Sequence, residues 1–227
     1  MNVPEFVKKE LIDFTGLSPR EVDLYVGRKQ YPTFQDEWKL WKPDTDQNIR
    51  WFYICSRGYL FANAIHVLAP NILNDIPKGS KVLDFGGGSG NYSFALCDKG
   101  CSVDFFEVNL LQKEFVKFVA KKHSLDLMAL DYNASFLPII SNTYDSIIAL
   151  DVLEHIPNYD EYIQMFASAI KPGGCLYVFA PFGGGGDVTH LSDKLGFDKV
   201  LAKYGFAFDS NIVIREGVNC SKYRGKK

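Results

Sequence analysis

From Lys81 onward, short apolar runs alternate with longer amphipathic stretches. The runs KVLDF (81–85), SVDFFEV (102–108), LDLMALD (125–131), YDSIIALDV (144–152) and CLYVFAP (175–181) are rich in β-branched and aromatic residues. Several lack strict alternation, the pattern of strands covered on both faces. Between them, NLLQKEFVKFVAKKH (109–123) sets Leu111, Phe115 and Phe118 or Val119 on one helical face, and YDEYIQMFASAI (159–170) does the same with Ile163, Phe166 and Ile170. KPGG at 171–174 reads as the stop of the second helix. Strand alternating with helix at this spacing predicts an α/β fold, a doubly wound, mostly parallel sheet with helices on both sides.

Residues 1–80 carry a different pattern, helices and loops without the strand runs, and divide from 81–227 as an N-terminal helical cap on a catalytic domain. Ser18-Pro19 before REVDLYVGRKQ predicts an N-cap with proline at the first helical position. Between Tyr31 and Ile65, Trp38, Trp41, Trp51, Phe52, Tyr53, Tyr59 and Phe61 supply rings for a core or for the wall of a pocket.

Composition narrows the function classes. The 227 residues are 47% hydrophobic and 23% charged, which suits one catalytic domain rather than a disordered chain. A formal net charge of -2 disfavours nucleic acid as a partner, since phosphate tracking calls for a basic surface. No apolar run approaches the ~18 residues of a membrane span. The N-terminus shows no secretory apolar segment, and the five scattered cysteines contain no CxxC pair. A cytoplasmic location is the expectation.

The most informative segment is VLDFGGGSG (82–90), where a strand runs into glycines that open the helix NYSFALCDKG. Glycine lets the backbone approach a ligand with no Cβ in the way. A dinucleotide site asks for GxGxxG; here Asp84, Gly86, Gly88 and Gly90 make DxGxGxG, and position 91 is Asn. About 20 residues on, Glu107 ends the next strand where an acid meets ribose hydroxyls.

Together these residues resemble the class I S-adenosylmethionine-dependent methyltransferases, above all the small-molecule group with VLDxGxGxG and LEH signatures. The resemblance runs from 81 to about 208 through VLDFGGGSG, Glu107, Asp131, YDSIIALDVLEHIPN and KPGG. It implies a Rossmann-like sheet of seven strands, the last, at Asn211 to Glu216, antiparallel to the rest. It also implies S-adenosyl-L-methionine as cofactor and a small molecule, methylated on O, N or C, as acceptor. By position it gives the methionine end of the donor to the backbone of Asp84, Phe85, Gly86, Gly87 and Gly88, the ribose to Glu107, and the adenine to Asp131 with Tyr132. Leu150 to Val152, with Asp151, close the other side.

Three readings stand for DVLEH (151–155): a strand end with no proton role, a general base at His155, or a metal site. The last resembles the ExxEH sites of certain 2'-O- and quinone O-methyltransferases, from which this chain departs by having Asp first, with His190 a candidate further ligand. His155 and His190 are the candidate catalytic residues, and no metal is assigned. The loop from Phe182 through Gly186 to Asp187 reads as a substrate lid or a loose loop, with Asp187, Thr189 and His190 at its base. Ahead of the first strand, Tyr53, Arg57 and Tyr59 are candidates for the pocket wall. Two other classes remain open at this point: an NAD-dependent oxidoreductase, and a methyltransferase-like binding subunit without turnover.

Overall fold

Residues 2–27, 33–62, 64, 68–131, 141–183, 190–192 and 196–225 are described by the structure, a computed structural model. Among the described residues six helices precede the sheet: α1 (Val3–Thr15), α2 (Pro19–Val26), α3 (Phe34–Trp41), α4 (Asp46–Cys55), α5 (Gly58–Ala62) and α6 (Pro70–Asp75). The predicted cap at Ser18 is present as a capping box, Ser18 accepting from the Glu21 backbone N–H and Glu21 reaching back to the Ser18 N–H.

The strands are β1 (Lys81–Phe85), β2 (Ser102–Phe106), β3 (Leu127–Ala129), β4 (Tyr144–Leu150), β5 (Ile170–Phe179), β6 (Ala207–Arg215) and β7 (Val218–Arg224). Helices α7 (Asn91–Asp98), α8 (Leu110–His123), α9 (Tyr159–Ala169) and α10 (Phe197–Lys203) connect them. The sheet order is β3-β2-β1-β4-β5-β7-β6. Strands β1 to β5 pair in parallel, whereas β7 runs antiparallel to both β5 and β6. The seven-stranded, mostly parallel sheet is therefore present, but its antiparallel member is Val218–Arg224. Asn211 to Arg215 belong to β6, which runs with the others, and Glu216 lies in the hairpin turn.

Both sheet faces are covered, which is why the apolar runs lack alternation. Leu83, Phe85, Ile147, Leu176 and Val178 pack against α9 and α10. On the opposite face, Val82, Val103, Ile148 and Tyr177 meet Ile72 of α6. Phe105 joins Val7 and Leu11 of α1, Val22 of α2 and Phe115 and Val119 of α8 in one cluster, so the N-terminal helices share a core with the sheet. Asn109 ties the layers further: buried at the N-cap of α8, its side-chain amide donates to the carbonyls of Tyr53 (2.9 Å) and Ser56 (2.7 Å). Gln112 Nε2 likewise donates to the Tyr59 carbonyl at 2.9 Å. These bonds hold α4 and α5 over the carboxyl ends of β1 and β2, beside the point where strand order reverses and open α/β sheets bind ligands. Among the described residues no helix is long and apolar enough to cross a membrane.

Candidate active site

A cavity of about 770 Å³ opens at that reversal. Its floor is the glycine turn after β1. Gly86 and Gly88 have φ of 71° and 57°, which L side chains rarely adopt. A Cβ on Gly86 would collide with Val152, and one on Gly87 would stand 2.7 Å from the Asp84 carboxylate and 2.6 Å from the Phe105 ring. Glycine at these two positions thus lets the turn pack directly against Val152, Asp84 and Phe105, with its backbone lining the cavity.

Asp84 lies at the cavity and is 3% exposed, its carboxylate accepting from Ser93 Oγ at 2.6 Å. Burial pushes its pKa up to about 6, against the lowering effect of Ser93. Phe85 contributes to the wall, while its ring stacks on Phe106 at 4.9 Å in the core. Glu107, immediately after β2, is buried, with Oε2 accepting from the Gly88 N–H and Oε1 from the Asn109 N–H, both at 2.9 Å. Burial raises its pKa, and those backbone donors oppose the shift. Asp151 follows β4 with φ of 51°, a left-handed conformation uncommon outside glycine, fixed by its N–H donating to the Phe179 carbonyl at 2.8 Å.

Asp131 is not brought to this group. Its side chain is 81% exposed, stands outside the cavity lining, and pairs with Lys113 (3.3 Å) and Lys117 (3.6 Å), which lower its pKa. The two lysines lie one turn apart on α8 and claim the carboxylate. Tyr132, Asp187 and Thr189 lie outside the described residues.

A pH dependence follows from Asp84. Its folded-state value lies above the unfolded one, so its contribution to stability is greatest at low pH and is lost as pH rises through about 6. Binding a donor whose ammonium pairs with this carboxylate runs the other way, because the proton must first leave. S-adenosylhomocysteine titrated calorimetrically should bind with constant affinity above pH ~7 and weaken toward roughly tenfold per pH unit below about 6. Asp84→Asn should flatten that profile, and an unchanged slope in this variant removes Asp84 from donor binding.

The other half of the cavity gathers around Leu153–His155, a short 3-10 turn after β4. Glu154 is fully buried, and among the described residues its side-chain oxygens lack a well-formed hydrogen bond. Burial and the adjacent Asp151 carboxyl push its pKa up to about 8. His155 Nε2 and His190 Nε2 both stand 4.0 Å from Glu154 Oε1. His190 is delivered there by the Leu191 N–H, which donates to the Glu154 carbonyl at 2.8 Å. One donor atom from each of Glu154, His155 and His190 lies within 4.8 Å of the other two, a set able to hold a divalent ion.

Tyr53 closes the cluster from the N-terminal side, its hydroxyl 2.8 Å from His155 Nδ1. Tyr53 and Tyr59 line the cavity; Arg57, also a candidate, is exposed and does not. The neighbouring rings divide between roles: Phe52 is buried, whereas Trp41 and Trp51 are 51% and 53% exposed. The metal reading of DVLEH already included Glu154 and His155; the contact of Tyr53 with His155 is what sequence reasoning missed.

With this geometry, comparison with known proteins is decisive for the family. A family model described as a methyltransferase domain matches residues 54–191. The ubiquinone biosynthesis O-methyltransferase of Xanthomonas axonopodis pv. citri (strain 306) is 32% identical over 124 residues, 50% of this chain and 50% of its own. The chain spans about half the length of the curated relatives it matches. In fold, it is similar to the PH0226 protein of Pyrococcus horikoshii OT3, with a TM-score of 0.59 and 18% identity over 84% of this chain and 99% of that one. A SAM-dependent methyltransferase of Aquifex aeolicus gives 0.56 and 17% over 80% and 97%. The glycine cradle, the acid after β2 and a family match over more than half its length agree, and this chain belongs to the class I S-adenosylmethionine-dependent methyltransferase family.

Proposed function

We propose that this protein moves the methyl group of S-adenosylmethionine onto a hydroxyl oxygen of a small, partly apolar or planar acceptor, with His155 taking the acceptor's proton. The observation that carries this reading is the single cavity shared by the glycine cradle, Glu107 and His155. When bound, the donor supplies a sulfonium-activated methyl group. The chain's own residues do the rest. The turn from Asp84 to Gly88 holds the methionine end, Glu107 accepts ribose hydroxyl hydrogen bonds, and Asp151 and Val152 close the opposite wall. Tyr53, Tyr59 and Ile156 give the acceptor side an apolar surface that excludes water and orients a ring. Oxygen is favoured over nitrogen or carbon by the name carried by the relatives, O-methyltransferase. A cytoplasmic setting agrees with five cysteines that form no disulfide.

A second reading is favoured by the burial of the Glu154 carboxyl between two histidine rings. Glu154, His155 and His190 fit a divalent cation, which would lower the pKa of an acceptor hydroxyl in place of a protein base. One experiment tests both readings. Purified protein is incubated with methyl-labelled S-adenosylmethionine and a metabolite extract, with and without a chelator, and whatever gains label is identified by mass spectrometry. Label should appear on an oxygen of a low-mass acceptor. Turnover insensitive to chelation supports the protein base; turnover lost to chelation and restored by added Mg²⁺ or Zn²⁺ supports the cation. Donor binding with no labelled product in any extract would leave a binding subunit and end the enzymatic reading.

A further inference from the structure

We propose that Tyr53, carried on α4 of the N-terminal segment, is a positioning residue that fixes the tautomer of His155, keeping the ring proton on Nδ1 and leaving Nε2 as the ring's proton acceptor. The inference rests on the role given to His155 above and extends it to a helix outside the sheet. Neutral imidazole holds one proton on two nitrogens, and the partner of one nitrogen decides what the other presents. Tyr53 Oη stands 2.8 Å from Nδ1, and the two rings lie with centroids 5.1 Å apart. Nε2 faces the other way, toward Glu154 Oε1 at 4.0 Å. A proton acceptor at Nε2 requires the proton on Nδ1, and Tyr53 Oη must then accept that N–H. A ligand to a cation at Nε2 requires the same tautomer, so the assignment serves either chemistry.

Tyr53 is itself held in place. Its carbonyl accepts from Asn109 Nδ2 at 2.9 Å, and its ring packs against Phe52 and Tyr59, each 5.6 Å away between centroids. Asn109 in turn donates its backbone N–H to Glu107. One run of contacts, Glu107 to Asn109 to Tyr53 to His155, thus links the proposed ribose acid to the proposed base. The N-terminal helices thereby supply part of the catalytic arrangement as well as a wall.

The test is Tyr53→Phe, which keeps the ring and removes only the hydroxyl. Nitrogen-15 NMR of the His155 ring should show the proton on Nδ1 in the wild type and a shift toward Nε2 in the variant. With the acceptor identified by label transfer, kcat should fall on the order of ten- to a hundredfold. KM and the affinity for S-adenosylhomocysteine should stay within about twofold, a split that a general loss of structure does not produce. Adding Tyr53→Phe to His155→Ala should cost nothing further. A wild-type ring protonated on Nε2, or a tautomer unmoved by Tyr53→Phe, overturns the assignment and leaves the catalytic reading of His155 intact. The predicted tautomer together with full activity in His155→Ala overturns that catalytic reading instead, and Tyr53 loses its positioning role with it.

Discussion

His155→Ala is expected to lower kcat by about 10²- to 10⁴-fold, the range for removing a positioned acid-base group. The affinity for S-adenosylhomocysteine should stay within roughly twofold. The separation follows from placement. His155 belongs to the 3-10 turn after β4 and meets Tyr53, Glu154 and His190, while the glycine cradle and Glu107 follow β1 and β2. On the proposed reading, removing the imidazole leaves the donor cradle untouched and deprives the acceptor hydroxyl of its proton sink. Steady-state kinetics on the identified acceptor, with calorimetric titration of the demethylated product, measure both quantities. A variant whose kcat stays within about threefold of wild type removes His155 from the chemistry. If donor affinity collapses as well, the turn after β4 supports the donor site, and the selective role is lost.

How much of this was legible depends on whether the information is local. β1 was read to the residue because KVLDF is bounded by polar residues and glycines and is buried on both sides. The last strand was displaced because VNCSKYR offers no apolar run: Lys222 is 7% exposed, yet its ammonium reaches Asp75 at 2.5 Å and Asp209 at 3.6 Å. A buried lysine satisfied by residues far along the chain leaves no mark in a local pattern. KPGG did end a helix as predicted, but β5 begins at Ile170. Pairing with β4 passes from Tyr144↔Ile170 to Ser146↔Cys175, so the four residues bulge out of the ladder. The candidate site divides in the same way. Asp84, the glycines and Glu107 stand at fixed spacing after two strands and could be read. The pairing of Asp131 with Lys113, 18 positions earlier on α8, left no local mark in the sequence. The contact of Tyr53 with His155 spans 102 positions and exists only once α4 is laid over the sheet.

Glu107→Gln should weaken S-adenosylhomocysteine binding on the order of ten- to a hundredfold, the worth of hydrogen bonds to a charged, buried acceptor. It should also lower the melting temperature by a few degrees. The carboxylate has two duties that the variant separates. Toward the protein, its oxygens accept from the Gly88 and Asn109 N–H groups at 2.9 Å each. An amide can satisfy only one of these and turns its own N–H toward the other, a loss of about 1–3 kcal/mol for a buried donor left unpaired. Relief from burying a carboxyl whose pKa is already raised offsets part of that loss, so the fold should survive. Toward the ligand, Glu107 lines the cavity, where ribose hydroxyls would donate to it. An amide offers one acceptor oxygen in place of two. If the role is donor binding, kcat at saturating donor should change far less than the dissociation constant, because the proposed proton acceptor, His155, belongs to the turn after β4 and not to the donor side. A folded Glu107→Gln protein that binds the product with wild-type heat and affinity would refute the ribose assignment, whatever its melting temperature, since the loss of backbone partners alone predicts a stability change with no change in ligand affinity.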